Sequence, residues 1–319
     1  MKTVVTHNGA FHADDVYGVA VLELLFENLT IVRTRDPDLI LKGDFVVDVG
    51  GIWAEQENRF DHHQKGFAGQ RSGGAGYASA GLVWRCHGFQ CVQKLVPSAN
   101  PEEISRIVRQ IDEELVQHLD RADTGVSNGA PGLFGLSALI DQFNPDWMTL
   151  EAATAGVSKE EGKAITDAIL LEAFKNAVAV MTNIILNAIR VTASSVLGER
   201  LVRAGRLLHQ GKVLLLERSG LVWEPVVCAE MPEVLYVIYP DSSDQQFQLR
   251  TVPVKPWSFQ ARQDLPAAWA GLRNESLSAV TGVSDAVFCH NGRFIAGAKS
   301  LDGALSLAAL ALNGAGPES

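Results

Sequence analysis

The sequence predicts an α/β protein: a parallel-sheet domain with helices on both faces, a long linking helix and a smaller α+β C-terminal domain. Short apolar runs alternate with a helical repeat over residues 1–60, which is typical of a parallel sheet covered on both faces. A broad apolar repeat at spacings of three and four follows, and after it come short strand-like runs. The predicted domain boundaries are therefore 1–162, 163–195 and 196–319.

The N-terminal part of the chain supplies the strands of the predicted sheet. Residues 3–6, 30–34 and 45–49 are apolar and rich in β-branched side chains, which favours strands. Residues 16–28 have helical spacing, and the two aspartates just before them can cap that helix. Because ligands bind at the carboxyl ends of parallel strands, we expect the polar residues that follow these strands to form a site.

The later elements are predicted from periodicity and turn residues. A stretch rich in Gly and Ser at 66–81 predicts a mobile loop, and 101–120 predicts a helix. The stripe of the linking helix is broad enough to be buried on more than one side, either between domains or in a homodimer seam. This stripe comprises Ile169, Ala173, Ala177, Val180, Ile184, Ala188 and Val191, widened by Leu170, Phe174, Met181 and Ile185. The C-terminal strands are predicted at 212–216, 226–229, 234–239, 247–253 and 286–289, before a helix at 303–312.

The composition is that of an ordinary globular protein. A chain of 319 residues with 47% hydrophobic content is long enough for two cores. The net charge of −10 argues against a broad basic face for duplex nucleic acid, but allows a short or single-stranded one. Aromatic residues make up 7% and are not interleaved with basic ones, so a strand end fits better than a long stacking track.

The N-terminus and the cysteines indicate a cellular compartment. Residues 1–6 run directly into the first polar motif and leave no room for a leader, so the cytoplasm is the expected location. No apolar run reaches the length that spans a bilayer, so we expect no membrane partner. The four cysteines form no CxxC pair, which predicts reduced thiols rather than a zinc knuckle.

Histidines and aspartates cluster at the ends of the predicted N-terminal strands. Four of the eight histidines fall within the first 63 residues, each close to an aspartate. The polar segments are 7–15, Asp48, 61–63 and 123–125. Each of these segments, taken alone, is also typical of a purely structural feature: a helix cap, a turn or an exposed loop. Together they predict a two-cation site, since two cations about 4 Å apart need a bridging carboxylate and several N or O ligands.

The polar segments resemble the motifs of the DHH phosphoesterase superfamily, and within it they are most similar to the Myg exonuclease family (melanocyte-proliferating-gene type). The segments that carry the resemblance are 6–14, 32–37, 46–51, 59–64, 79–82, 252–253, 258–262, 265–266, 269–272 and 288–290. The resemblance thus covers nearly the whole chain. It implies a DHH domain, a smaller C-terminal domain and 3′-5′ exonuclease action on RNA.

The resemblance also implies roles for individual residues. The metal ligands would be His7, His12, Asp14, Asp48, His62 and Asp123. Asp48 is the candidate bridge between the cations, Asp61 would orient His62, and His63 would contact the scissile phosphate. Asp15 is a further catalytic candidate, and Asp120 is the rival of Asp123. Because every ligand atom is N or O and none comes from Cys, two Mn²⁺ ions fit best, with Mg²⁺ as the alternative.

Substrate-binding residues are expected in the C-terminal domain and after the second strand. A glycine turn before the last helix suits a phosphate or a terminal nucleotide. Ala296 replaces the first glycine of the family's pair there. The two arginines after the second strand either clamp a phosphate or pair with Asp36 and Asp38. The candidates are His290, Gly297, Lys299, Ser300, Arg262, Arg33 and Arg35.

These observations predict a metal-dependent phosphodiesterase that hydrolyses RNA or short oligonucleotides with a metal-activated water. One alternative is a phosphohydrolase of a small nucleotide or pyrophosphate on the same fold. The other is a non-catalytic, metal-binding regulatory protein. Structural metal sites prefer closed, Cys-rich shells, which disfavours this last alternative.

Overall fold

The computed structural model describes residues 2–126, 135–243 and 245–314. They form a mixed α/β protein with two mixed sheets, in two compact units, Met1–Ala193 and Ser194–Ser319. The first unit contains β1 (Lys2–Thr6), α1 (Ala13–Leu25), β2 (Leu29–Arg33), α2 (Pro37–Lys42), β3 (Phe45–Val47), β4 (Trp53–Ala54), β5 (Arg59–Phe60), α3 (Ser79–Leu95), α4 (Pro101–Ile111), α5 (Gln117–Asp123), α6 (Leu136–Asp141), α7 (Trp147–Thr154) and most of α8 (Lys159–Arg203).

The sheet of the first unit has the strand order β2-β1-β3-β5-β4. Four strands run parallel, and β4 pairs antiparallel with β5. The sheet predicted to be parallel is therefore mixed, because β4 and β5 form an antiparallel hairpin. Asn58 makes the reversal with a φ of 56°, a left-handed conformation that asparagine tolerates. The carboxyl ends of β1, β3 and β5 consequently lie side by side.

Helix α1 begins three residues earlier than the apolar repeat predicts. Its N-cap is His12, whose backbone N–H donates to Asp15 Oδ1 at 2.9 Å, so Asp15 occupies the third helical position of a capping box. Residues 13–22 are all buried, because nearly every position of this stretch is small or apolar. The early start places Asp14 in the first helical turn, directly beside the end of β1.

The segment between β5 and α3 is tied to the helices that follow. Arg71 donates from Nε and Nη2 to the two carboxylate oxygens of Asp112, each at 2.7 Å, and pairs with Asp120 at 2.7 Å. Tyr77 lies against the same guanidinium. Helices α4 and α5 are continuous through a π-helical turn at Asp112–Val116, which extends the predicted helix to residue 123. These contacts argue against the predicted mobility of this segment.

Helix α8 covers 45 residues, Lys159–Arg203, and is longer than predicted. Its buried positions recur at spacings of three and four and include Phe174, Ala177, Met181, Ile185 and Ile189. Val180 and Val191, assigned to the buried stripe from the sequence, are 40% and 65% exposed. The packed face is thus the one formed mainly by the widening residues. The homodimer seam stays a prediction.

The length and composition of α8 also bear on the membrane prediction. Among the residues that the structure describes, α8 is the one helix long and apolar enough to cross a bilayer. This finding rests on length and composition alone, and the absence of a membrane partner stays a prediction. A core helix of a soluble protein meets the same criterion, and 28% of the most apolar window of α8 is buried.

The second unit is built on a six-stranded sheet of order β10-β11-β9-β8-β7-β6, antiparallel except for the parallel pair β7–β8. Its elements are β6 (Arg206–Leu208), β7 (Val213–Leu215), α9 (Glu224–Glu230), β8 (Tyr236–Pro240), β9 (Phe247–Thr251), α10 (Asn274–Thr281), β10 (Ala286–Cys289), β11 (Ile295–Ala298) and α11 (Leu301–Asn313). The strand predicted at 226–229 is helix α9. Pro225 lies in the first turn of that helix, where its missing N–H is tolerated, and Val226 and Val227 are buried.

Candidate metal centre

A cavity of about 1270 Å³ opens at the carboxyl ends of the first sheet. His7 follows β1, Asp48 follows β3, and the segment 61–63 follows β5. Because these strands are parallel neighbours, their ends bring the three segments together. Asp14 comes from the first turn of α1, and Asp123 is the last residue of α5. All six predicted metal ligands line the cavity: His7, His12, Asp14, Asp48, His62 and Asp123.

Asp48 lies at the centre of this arrangement. Its φ of 58° is left-handed, and Gly50 and Gly51 after it also have positive φ values. Aspartate accepts this conformation better than most residues, and the turn directs its carboxylate into the cavity. Asp48 Oδ2 lies 3.4 Å from His7 Nε2, and Oδ1 lies 3.5 Å from His62 Nε2. One carboxylate thus faces two histidines with its two oxygens, as the predicted bridging role requires.

Ser79 holds the Asp48 carboxylate from behind. The buried Ser79 hydroxyl donates to Asp48 Oδ1 at 2.9 Å. Burial by itself raises the pKa of Asp48, but hydrogen bonds from His62, His7 and Ser79 outweigh it and hold this pKa well below its ordinary value. Sequence reasoning did not assign Ser79 a role. The available signal was a serine at a helix start, at the end of the Gly- and Ser-rich segment.

A backbone carbonyl orients His7. Its Nδ1 lies 3.1 Å from the Asn8 carbonyl oxygen, which can only accept, so Nδ1–H is the donor there and Nε2 is the nitrogen directed at the carboxylates. Nε2 points toward Asp48 and lies 3.3 Å from Asp15 Oδ2. A backbone carbonyl that fixes the remote nitrogen in this way is the usual support of a metal-binding histidine.

Asp14 carries the strongest indication of a cation. Its carboxylate is fully buried, and neither oxygen has a hydrogen-bond partner among the described residues. Burial, followed by repulsion from Asp48, Asp123 and Asp15, raises the pKa of Asp14 well above its ordinary value. Buried carboxylates are normally paired, so an orphaned one next to other carboxylates fits a site that holds a metal ion.

His62 faces the carboxylates with its Nε2. That atom lies 3.0 Å from Asp123 Oδ2 and 3.9 Å from Asp14 Oδ2. Burial lowers the pKa of His62, but Asp123 and Asp48 raise it to about 10. A protonated imidazole thus offsets the carboxylates where a divalent cation would otherwise do so.

The possible ligand atoms form three overlapping groups, and within each group all atoms lie within 4.8 Å of one another. The groups are His7, His12 and Asp48; Asp48, His62 and His63; and His12, Asp14 and Asp123. Asp48 belongs to two groups, and so does His12. The donor set contains imidazole nitrogens and carboxylate oxygens without thiolates, which suits Mn²⁺ or Mg²⁺.

Asp61 contacts His63 rather than the predicted His62. Asp61 Oδ1 lies 2.9 Å from His63 Nδ1 and accepts the His63 backbone N–H at 3.0 Å. Its Oδ2 accepts from the Gly51 N–H at 2.6 Å. The turn that follows β5 brings alternate residues to the same side, so Asp61 faces the residue two positions on. His63 is the exposed histidine of the pair, with 61% of its side chain accessible.

Asp15 and Asp120 lie behind the cavity wall. Asp15 is fully buried and accepts from the N–H groups of His12 and Val16, so it supports the turn and faces His7 from outside the cavity. Asp120 accepts from Gly81 N–H at 2.9 Å and pairs with Arg71. Of the two rivals on α5, Asp123 is the one that lines the cavity.

The two arginines near β2 have separate environments. Arg33 Nη2 donates to the Gly9 carbonyl oxygen at 2.9 Å, and its guanidinium lies between the rings of Phe11 and Phe174. Arg33 therefore supports the 7–12 turn. Arg35 is exposed, lines the cavity and donates to the Asn8 side-chain oxygen at 3.0 Å. In the described part of the chain, Arg33 donates to backbone carbonyl oxygens and Arg35 donates to Asn8, rather than to the predicted partners Asp36 and Asp38.

The predicted substrate residues of the second unit lie in ordinary structural settings. Ser300 caps α11 by accepting from Gly303 N–H at 3.0 Å. Gly297 is buried in β11, where an added Cβ would come within 2.7 Å of Phe288. His290 Nδ1 accepts from the Gly292 N–H in its turn, and Lys299 is exposed.

Arg262 is the predicted substrate residue that the structure most clearly reassigns. Its guanidinium donates to carbonyl oxygens at the end of α9, including those of Met231 at 2.7 Å and Val234 at 2.8 Å. Cations near a helix C-terminus stabilise the free carbonyl groups there. Arg262 thus supports the second unit, and its donors are not presented to a substrate.

Comparison with known proteins identifies the relatives of the chain. The MYG1 exonuclease family model, described as an uncharacterised protein family (UPF0160), matches residues 3–312. The "MYG1 exonuclease" of Rattus norvegicus is 31% identical, covering 95% of this chain and 82% of that protein. The "MYG1 exonuclease" of Homo sapiens is 29% identical, covering 95% of this chain and 84% of that protein. "MYG1 protein C27H6.8" of Caenorhabditis elegans is 30% identical over 96% and 94% of the two chains. The chain belongs to the MYG1 exonuclease family.

Proposed function

We propose that this protein is a metal-dependent nuclease that hydrolyses phosphodiester bonds of RNA or short oligonucleotides in the cavity of its first unit. The observation that carries the proposal is the orphaned, fully buried Asp14 beside Asp48, a carboxylate common to two ligand groups. The relatives named MYG1 exonuclease support the nuclease class. The 3′-5′ direction and the DHH arrangement are part of this proposal, and they rest on the resemblance of the motifs.

Two divalent cations, Mn²⁺ in the first instance, would occupy the overlapping ligand groups. His7 and His12 would hold one cation and His62 the other, with Asp48 between them. Asp14 and Asp123 would complete the shells. When bound, such a pair supplies an activated water and neutralises charge on the phosphoryl group.

The remaining groups of the cavity serve to orient the substrate. Asp61 binds His63 Nδ1, so the opposite nitrogen, Nε2, faces away from Asp61. In its doubly protonated form this exposed imidazole can donate to a phosphoryl oxygen. Stabilising charge on the oxygens of the reacting phosphate is the main contribution that side chains make to phosphoryl transfer.

The experiment is hydrolysis of end-labelled RNA and DNA oligonucleotides by the full chain loaded with Mn²⁺ or Mg²⁺. We expect a ladder of products shortened from the 3′ end of RNA. Asp48→Asn should lower the rate by about 10³-fold or more, as expected when a group essential to the reacting centre is lost. Asp141→Asn, an exposed carboxylate of the same cavity, is the matched control. Unchanged rates in Asp48→Asn would refute the assignment.

One observation favours a second candidate, the hydrolysis of a small phosphoanhydride or dinucleotide. Among the described residues that line the cavity there is no Phe, Tyr or Trp on which bases could stack. Turnover of pyrophosphate, a dinucleotide and a short RNA by one preparation separates the two candidates. A higher kcat/KM for pyrophosphate than for either nucleotide substrate would favour the second.

A further inference from the structure

One wall of the cavity is aliphatic and exposed. Leu41 and Ile52 line it with 72% and 50% of their surfaces accessible, and Ile40 lines the same cavity and packs against the core. Ile40 belongs to α2 and packs toward Gly50, where an added Cβ would come within 3.2 Å of its Cγ2. Large apolar side chains that are exposed together beside a polar centre indicate a ligand-binding surface.

A single permanent cation lines the same cavity. Arg35 is the one Arg or Lys among the described residues that line the cavity, whereas Asp14, Asp48, Asp61, Asp123 and Asp141 all line it. Its Nη1 is held by the side-chain oxygen of Asn8 at 3.0 Å. Its other nitrogens have no hydrogen-bond partner in the described part of the chain. A guanidinium anchored on one side in this way presents the rest of its donor fork to an anion.

We propose that Ile40, Leu41, Ile52 and Arg35 form a nucleoside monophosphate subsite, in which the aliphatic wall packs against the base and ribose and Arg35 binds a phosphate. The inference rests on the proposed function and names the part of the substrate that this wall contacts. We choose a nucleotide as the ligand because its chemistry complements that of the cavity lining. A nucleotide combines an apolar base with an anionic phosphate, and the lining combines an aliphatic surface with the cation of Arg35.

The chemistry of the wall also predicts its selectivity. Side chains of Leu and Ile offer dispersion contacts and no hydrogen bonds to base edges. The subsite should therefore accept each of the four bases with similar affinity, while it distinguishes a nucleotide from a bare sugar phosphate. Sequence-tolerant removal of nucleotides is the behaviour that such a subsite supports.

The first test measures binding by calorimetry to the full chain in Mn²⁺, with adenosine 5′-monophosphate and ribose 5-phosphate as probes. We expect the nucleotide to bind about tenfold more tightly than the sugar phosphate, the size of effect expected for partial burial of two aliphatic side chains. Leu41→Ser and Ile52→Ser should each reduce this preference, and Arg35→Gln should weaken both probes alike. Leu39→Ser is the matched control, since Leu39 is on the same helix and 43% exposed but does not line the cavity.

The second test compares hydrolysis of a short RNA with that of the same RNA lacking its 3′-terminal base. Leu41→Ser and Ile52→Ser should raise KM for the intact RNA about tenfold and leave kcat/KM for the abasic RNA unchanged. Equal losses on both substrates, or a preference for the nucleotide that survives both substitutions, would overturn the subsite. If the wild-type protein hydrolyses neither RNA, the proposed function fails. In that case calorimetry alone decides about the subsite: a preference for the nucleotide that is lost in Leu41→Ser and Ile52→Ser supports it, and a preference that survives both substitutions overturns it.

Discussion

Asp14→Asn should have opposite effects on stability without and with metal. Asp14 and Asp123 offer oxygens within 4.8 Å of each other, and Asp14 is fully buried. At an effective dielectric of about 20, two carboxylates at that separation repel by roughly 3.5 kcal/mol when both are ionised. Burial and this repulsion raise the pKa of Asp14, so the charged form of its carboxylate costs free energy in the metal-free protein, and His62 offsets only part of that cost.

An asparagine at position 14 removes the charge and keeps the shape. Loss of a favourable acidic group from the first turn of α1 should cost about 0.5 kcal/mol. We therefore expect the free energy of unfolding without metal to rise by about 1–3 kcal/mol, or the Tm by a few degrees. In saturating Mn²⁺ the wild type should instead be the more stable protein. A metal ion present at about 1,000 times its Kd stabilises the folded state by about 4 kcal/mol, and the variant loses part of this stabilisation.

The assay is urea unfolding followed by tryptophan fluorescence and circular dichroism, in EDTA and in MnCl₂. Asp141→Asn is the control, since it removes an exposed carboxylate from the same cavity and should leave both curves unchanged. The reasoning is refuted if Asp14→Asn is less stable than the wild type in EDTA and shows the same shift on adding Mn²⁺. That outcome would make Asp14 a structural residue without a cation.

Three further predictions concern groups around the cavity and in the core. Ser79→Ala should weaken Mn²⁺ binding about 10- to 100-fold in a metal titration, because the hydroxyl orients Asp48. Asp61→Asn should lower kcat on RNA by about 10- to 100-fold while Mn²⁺ affinity is retained, since Asp61 holds His63; a loss of metal binding instead would contradict this role. Burial lowers the pKa of His87 below 6.5, so its neutral form is favoured in the folded state and the unfolded chain binds the proton first. The contribution of His87 to the free energy of unfolding is therefore present above pH 6.5 and is lost as the pH falls below it. In urea unfolding, the free energy of unfolding of His87→Phe should fall less between pH 8 and pH 5 than that of the wild type.

The polar motifs of the candidate site were predictable because they depend on sheet topology. A residue that directly follows a buried parallel strand must lie at the edge where ligands bind, so His7 and Asp48 were expected together, and the segment 61–63 was added from its residue types and its motif. The structure brings them together with Asp14 and Asp123. Burial and pairing then distinguish Asp123, on the cavity, from Asp120, which pairs with Arg71.

The predictions that the structure contradicts come from local sequence patterns that are compatible with two different structures. Valines at 226–227 favour a strand, but Pro225 and the packing of unit two make the segment a helix. The apolar positions of α8 form two adjacent stripes of similar hydrophobicity, and only the packing of the helix decides which stripe is buried. Arg33, Arg35 and Arg262 are all cations near turns, and their partners come from residues distant in sequence.

The sequence by itself determined the α/β class, the order of the strands that end in polar residues, and the inventory of imidazoles and carboxylates. These follow from short-range patterns and from the chemistry of the side chains. The tertiary structure alone decided which carboxylates are orphaned, that Asp61 supports His63, and that Leu41, Ile52 and Arg35 line one cavity. The physical reason is that burial and pairing are properties of surroundings, and the surroundings of each of these groups are assembled from strands and helices far apart in the chain.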